Sequence, residues 1–251
     1  MSGHSKWSTI KRKKGAADAK RGAVFTRLTR EIVMAARAGG GDPNGNFQLR
    51  LAVDKARSEN MPKDNIERAI RRGTGEDKDA AAFEQVMYEG YAPHGVAVMI
   101  ECVTDNRNRT VAELRHALVH GGGTMGELGS VAWQFERAAY FSFPASAMNF
   151  DKAFELGIEA GADDVLDDNG TIEIIGPAET FKAIADRLHA ADVRPDEAGL
   201  RMIPKQELEL NVDQTLQVMR ALETIEELDD VQNVFHNLKM SEDALAALEA
   251  A

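Results

Sequence analysis

The chain has 251 residues, 43% of them apolar and 28% charged, a balance that excludes disorder along its whole length and allows more than one hydrophobic core. No apolar run approaches the roughly 20 residues of a membrane span, no apolar stretch follows the basic N-terminus as in a secretory signal, and a single cysteine, Cys102, excludes an internal disulfide framework, so a cytoplasmic protein without a membrane partner is expected. A formal charge of −11 conceals a split, because residues 1–72 hold 17 Lys and Arg against 7 Asp and Glu while the remaining 179 hold 13 against 34.

Residues 2–15 show no hydrophobic period and carry Lys6, Lys11, Arg12, Lys13 and Lys14 around Trp7. They read as an arm that orders on its partner. A helix is predicted over residues 16–38, because Phe25, Leu28, Ile32 and Ala35 recur at steps of three and four. At about 100° per residue, Lys20, Arg27, Arg30 and Arg37 fall on the opposite side, and Gly39, Gly40, Gly41 and Pro43 stop the helix. A second helix is predicted over 46–58, burying Leu49, Ala52, Val53 and Ala56. Pro62 opens a third, which carries Lys63, Arg68, Arg71 and Arg72 and ends at Gly73. Residues 73–82 suit a linker.

Beyond the linker, strand-like and helix-like segments alternate. Strands are predicted at 84–91, 96–103, 131–135, 139–143, 171–175, 200–203 and 231–238, with one more possible around 163–166. Helices are predicted at 108–120, 150–161, 179–191, 213–228 and 242–250. The order within 139–203 is the split βαββαβ pattern, and the flanking segments supply a second set of similar parts. The expected fold is therefore α+β: an N-terminal three-helix domain (1–78) followed by two ferredoxin-like α/β domains. One of these is discontinuous (79–137 with 205–251) and receives the other (138–204) as an insertion.

Several ordered blocks closely resemble the YebC/PmpR family, described as probable transcriptional regulators. They are Gly3-His4-Ser5-Lys6-Trp7, with Lys13, Lys14, Asp18, Arg21 and Phe25; Asn60-Met61-Pro62-Lys63-Asp64-Asn65-Ile66; the run from Tyr88 to Val96; Thr104-Asp105-Asn106-Arg107-Asn108-Arg109-Thr110; and Gly121-Gly122 with Gly129-Ser130-Val131. The blocks are dense in the first half of the chain, and the second half matches mainly in element order. The resemblance implies a helical domain and two α/β domains, one discontinuous. It further implies DNA binding and transcriptional control for some members and ribosome-associated translation roles for others, with no catalytic activity and no cofactor.

Lys and Arg neutralise phosphates and release counterions, which gives affinity without sequence readout. The basic arm and the helical domain are thus the candidate nucleic-acid site: Lys6, Trp7, Lys11, Arg12, Lys13, Lys14, Lys20, Arg21, Arg27, Arg30, Lys63, Arg68, Arg71 and Arg72. Trp7 has the ring to stack on an exposed base. The competing reading is a solvated basic face, or one that docks on the acidic domains of the same chain. Arg107 and Arg109 stand where a helix N-terminus favours anions; alternatively, Asp105 or Asn108 caps the helix and the arginines pair with acidic neighbours.

The glycine-rich stretch 121–130 follows a helix and lacks the Gly-Lys-Ser/Thr ending of a phosphate loop, so it reads as a helix stop and loop. His116 and His120, with Glu113 a turn earlier, have ligand spacing but no further ligand, which favours a surface or packing role. The carboxylates at 163–168 and 226–230 read as solvated loops and helix ends, and Cys102 as inert core. With no nucleophile–base pair, metal set or cofactor loop, a non-enzymatic protein without cofactor or small-molecule substrate is expected. Its partner is duplex DNA in a transcriptional regulator, or ribosomal RNA in a ribosome-associated translation factor.

Overall fold

A computed structural model of the chain describes residues 18–76, 82–168 and 170–250; the basic arm and most of the expected linker lie outside them. Helix α1 (Asp18–Gly39) is followed by α2 (Phe47–Ser58) and α3 (Lys63–Thr74). The Asn46 side chain accepts the Leu49 N–H, which caps α2, and donates to the carbonyls of Ala35 and Gly40 at 2.8 Å each. One amide thus satisfies orphan groups at the end of one helix and the start of the next. Pro62 precedes α3, and Gly75, at φ +79°, ends it in the left-handed conformation.

Leu28, Ile32 and Val33 of α1 pack on Leu49 and Val53 of α2 and on Ile66 and Ala69 of α3. At Gly73 the two outer helices touch backbone to backbone. A Cβ there would lie 2.6 Å from the Val33 carbonyl oxygen, so only glycine lets α3 come this close to α1.

The chain continues through β1 (Glu84–Tyr91), β2 (Ala97–Thr104), α4 (Arg107–His120), β3 (Thr124–Met125), β4 (Phe135–Pro144), α5 (Phe150–Glu159), β5 (Asp164–Asp168), β6 (Thr171–Pro177), α6 (Phe181–Ala190), β7 (Glu197–Pro204), α7 (Val212–Glu226), β8 (Val231–His236) and α8 (Glu242–Ala250). An outer sheet, in the order β3-β1-β2-β8, is antiparallel throughout. Its apolar face, with Val98, Ile100 and Cys102, packs on Leu114 and Leu118 of α4 and on Met219 and Leu222 of α7.

The second sheet, formed by chain lying between β3 and α7, has the order β5-β6-β4-β7 and is also antiparallel. Residues Ala139, Phe141, Ile172 and Ile174 meet Ala153, Ile184 and Leu188 from α5 and α6. This is the expected α+β arrangement of three helices followed by two helix-backed antiparallel sheets. Only the inserted sheet follows the β-α-β-β-α-β chain order; the outer sheet places two consecutive strands, β1 and β2, at its centre. Among the described residues no helix is long and apolar enough to cross a membrane.

Residues 131–135 depart from the prediction. Instead of a strand they form a short 3-10 turn at Ala132–Gln134, after which β4 runs unbroken. The cause is Glu89, which is buried in β1 at 4% exposure. Its carboxylate accepts the N–H groups of Gly129, Val131 and Ala132 at 2.7, 2.7 and 2.9 Å. Donors engaged by a carboxylate are not available to a strand ladder.

Candidate nucleic-acid interface

The cations expected to meet phosphate fall into separate groups. Lys6, Trp7, Lys11, Arg12, Lys13 and Lys14 lie outside the described residues, and Lys20 and Arg21 belong to the opening turn of α1. On α3, Ile66, Ala69 and Gly73 turn inward while Lys63, Arg68 and Arg71 face solvent. Lys63 Nζ lies 3.5 Å from Glu67. Arg68 and Arg71, one turn apart, form no ion pair among the described residues, and they present an outward cationic edge.

Other arginines of the helical region engage acceptors within the chain, Arg30 buried, Arg27 and Arg72 half-buried and Arg37 still exposed. Arg30, expected on the solvent side of α1, is only 6% exposed, and its Nη2 donates to Asp230 Oδ1 at 2.6 Å. Arg27 donates to the Glu226 carbonyl at the end of α7, and Arg37 to the Phe83 carbonyl. The Arg72 guanidinium carbon sits 3.8 Å from the centre of the Phe83 ring, and that of Arg30 lies 5.4 Å away, within cation–π range. The helical stripe of Phe25, Leu28, Ile32 and Ala35 was therefore only one of two covered sides. α2 and α3 cover that stripe, and the outer sheet covers part of the rest.

Asp230, just before β8, is the focus of this contact, with 1% of its side chain exposed. Besides Arg30 it accepts Thr104 Oγ1 at 3.0 Å, Thr110 Oγ1 at 2.7 Å and Arg109 Nη2 at 3.0 and 3.1 Å. Burial alone would raise its pKa. The hydrogen bonds from Thr110, Arg109 and Thr104, with the charge of Arg30, outweigh burial and hold the carboxyl below the ordinary aspartate value. A buried charge is tolerable only when paired and hydrogen-bonded, and removing one partner of such a pair typically costs about 3–5 kcal/mol. Asp230 is therefore not a solvated helix-end carboxylate.

At the start of α4 the cap is neither of the expected residues, Asp105 or Asn108. Asn106 caps α4 by accepting the Arg109 N–H at 3.1 Å. Arg107 pairs with Glu84 at 2.5 Å, and Arg109 bridges Asp105 and Asp230. Both arginines are thus engaged by acidic neighbours. Between the helical region and the outer sheet lies a cleft of about 730 Å³, with Phe25, Thr29 and Arg30 on one wall and Glu113, Glu227 and Asp229 on the other.

Glu89 lies elsewhere on the outer sheet. Its desolvation would raise the pKa, but three backbone donors lower it below the usual value. The glycine-rich stretch is thereby strapped down rather than loose, and Leu128 and Trp133 stand exposed at its far end. His116 and His120 stack with ring centroids 6.0 Å apart, and among the described residues no group of three or more His, Cys, Asp or Glu is placed to hold a metal. Cys102 is fully buried, and burial pushes its thiol up to about 12.

Sequence reading missed Glu89, Asp230 and the two threonines. Thr104 and Thr110 flank one of the family-like blocks, which was their only signal. Asp230 lies in an ordinary acidic run, where nothing local marks it.

Comparison with known proteins places this geometry in context. Residues 5–76 match the family described as "TACO1/YebC protein N-terminal domain", and residues 83–238 match "TACO1/YebC second and third domain". A "Probable transcriptional regulatory protein" of Geotalea uraniireducens is 50% identical over 245 residues, covering 98% of each chain. One of the same description from Acidithiobacillus ferrooxidans is 50% identical over 250 residues, covering 100% of this chain and 99% of its own. The crystal structure of a conserved hypothetical protein from Aquifex aeolicus superposes with a TM-score of 0.80 at 40% identity, covering 90% of this chain and 93% of the other.

Proposed function

The chain belongs to the TACO1/YebC family, and on that premise we propose that it is a non-enzymatic regulator of transcription, acting in the cytoplasm, that grips duplex DNA through its cationic helical region. The observation that carries this reading is the pair Arg68 and Arg71. Both are exposed on α3 and neither forms an ion pair among the described residues, within a segment where 17 Lys and Arg face 7 Asp and Glu. Relatives of matching length described as probable transcriptional regulatory proteins support it further.

Phosphate contacts by Arg68, Arg71 and the arm residues Lys11–Lys14 position the chain on the backbone, and counterion release supplies the affinity. The contacting unit is residues 1–78. The acidic body, 79–137 with 205–251 and the inserted 138–204, repels the same backbone and limits indiscriminate coating.

The test is fluorescence anisotropy of a labelled duplex titrated with full chain across a salt series. Arg68→Glu with Arg71→Glu is expected to weaken binding on the order of tenfold or more and to flatten the salt slope by about one to two. Binding that is unaltered in this variant, and in one with Lys11, Arg12, Lys13 and Lys14 changed to Glu, overturns the assignment. Adding ribosomes in competition gives a further check. If the chain leaves excess duplex to sediment with ribosomes, it serves translation instead.

A further inference from the structure

We propose that Asp230 is an internal stand-in for phosphate: it latches the helical region against the outer sheet in a closed form, and a polyanion releases that latch by competing for the inward arginines. The competition with DNA rests on the function proposed above; the latch itself does not.

The acceptors that hold the inner side of the helical region are all oxygens. Arg30 meets the Asp230 carboxylate, Arg27 the Glu226 carbonyl and Arg37 the Phe83 carbonyl. A phosphodiester offers the same guanidinium-binding chemistry with a full negative charge on each unit. The protein's own acceptors are therefore replaceable by a nucleic-acid backbone without any new kind of contact.

The contact is also built to separate on one side. Asp230 receives Thr104, Thr110 and Arg109 from the outer sheet and α4, so its carboxylate keeps three donors when Arg30 leaves. Arg30 has no comparable second partner. Its Nε and Nη1 are buried and have no hydrogen-bond partner among the described residues, with the Phe83 ring 5.4 Å away to soften the deficit. Unsatisfied buried donors are a standing cost of the closed form. Water or phosphate would satisfy them in an open one.

The cleft beside this pair has the matching electrostatics. Glu113, Glu227 and Asp229 on the far wall attract the arginine-bearing helix while the cleft is closed and repel a phosphate that approaches it. Access for a polyanion then requires the two walls to part, which removes the repulsion and exposes the arginines together. Such a device is a two-state element whose balance both the ligand and Asp230 bias.

Hydrogen exchange on the full chain, without and with inorganic polyphosphate, tests the latch directly. Polyphosphate is expected to speed exchange in α1 and at residues 97–104, and to leave β5 and β6, away from the Phe47–Phe181 contact, unchanged. Asp230→Asn, which removes the charge but keeps a side chain of the same size, is expected to speed α1 exchange with no ligand present. It should also tighten duplex binding about tenfold and steepen its salt dependence, because more arginines are available to phosphate. Exchange indifferent to polyphosphate overturns the proposal, as does an Asp230→Asn chain that opens but binds duplex no better than wild type. If neither chain binds duplex, the DNA reading fails, and the polyphosphate exchange result alone decides the latch. Should Asp230→Asn fold poorly, the polyphosphate experiment on the wild-type chain stands unaffected.

Discussion

Where the inserted sheet meets the outer one, Val131 and Phe135 close over Ala97, Met99 and Phe235, with Met202 packed alongside, and the chain crosses the junction twice. Where the helical region meets the same outer sheet, Val103 and Phe83 join the helical core, and around them guanidiniums sit on a carboxylate, on two carbonyls and over one ring, with the chain crossing once. Apolar burial is non-directional and has no partner in water, so the first junction has no alternative state to exchange into. Hydrogen-bonded charges always have one, in water or in a competing anion. The outer sheet thus fixes one neighbour by apolar contact and holds the other partly on terms that solvent conditions can alter.

Truncating the apolar junction should produce the largest change. Phe135→Ala is expected to cost about 3–5 kcal/mol in chemical denaturation, with both sheets losing structure in one transition. A loss confined to the inserted sheet would break the comparison. Glu89→Gln should cost about 1–3 kcal/mol, because an amide turns a donor toward backbone N–H groups that need an acceptor. Faster proteolysis within residues 126–132 would accompany it, and unchanged cleavage would show that the strap does not depend on the charge.

The mildest handle is pH. Asp230 and Glu89 both have folded pKa values below their ordinary ones, so their stabilisation is complete above the ordinary carboxylate range and is lost as pH falls below roughly 4. Melting temperature should therefore stay flat down to roughly pH 5 and decline beneath it. Asp230→Asn should remove the part of that decline seen by exchange in α1 and leave the part seen at residues 126–132. A decline in α1 that survives the substitution would mean that other carboxylates hold the helical region.

Much of this architecture was legible because its boundaries are chemical. Asn46, at the start of the expected second helix, caps α2, whereas α3 runs on through Gly73, where it was expected to end, and closes at the left-handed Gly75, and Asn106 caps α4 in place of Asp105 or Asn108. β1 was placed over residues 84–91 as found, since its strand pattern is bounded by linker and proline. The two-residue β3 escaped notice because it is too short to show a period. Residues 131–135 were misread because their apolar alternation is real, yet their donors are taken by Glu89, which lies some forty residues away in sequence.

The charge map shows the same limit. Composition places the excess of Lys and Arg in residues 1–72, but a helical wheel treats every polar side as wet. Arg30 is dry because Asp230, two hundred positions later, folds back onto it, and no local pattern in either residue announces the other.

Gly73 gives the two arginine faces a common mechanics. Because α3 rests on the Val33 backbone with no room for a methyl group, α1 and α3 cannot slide past one another without a clash. That close contact joins Arg30, at the inner side, to Arg68 and Arg71 on the outer edge. In the latch proposed above, release of the first would then carry the other two with it, so the surface offered to a partner and the seat that anchors it are tied through one glycine contact.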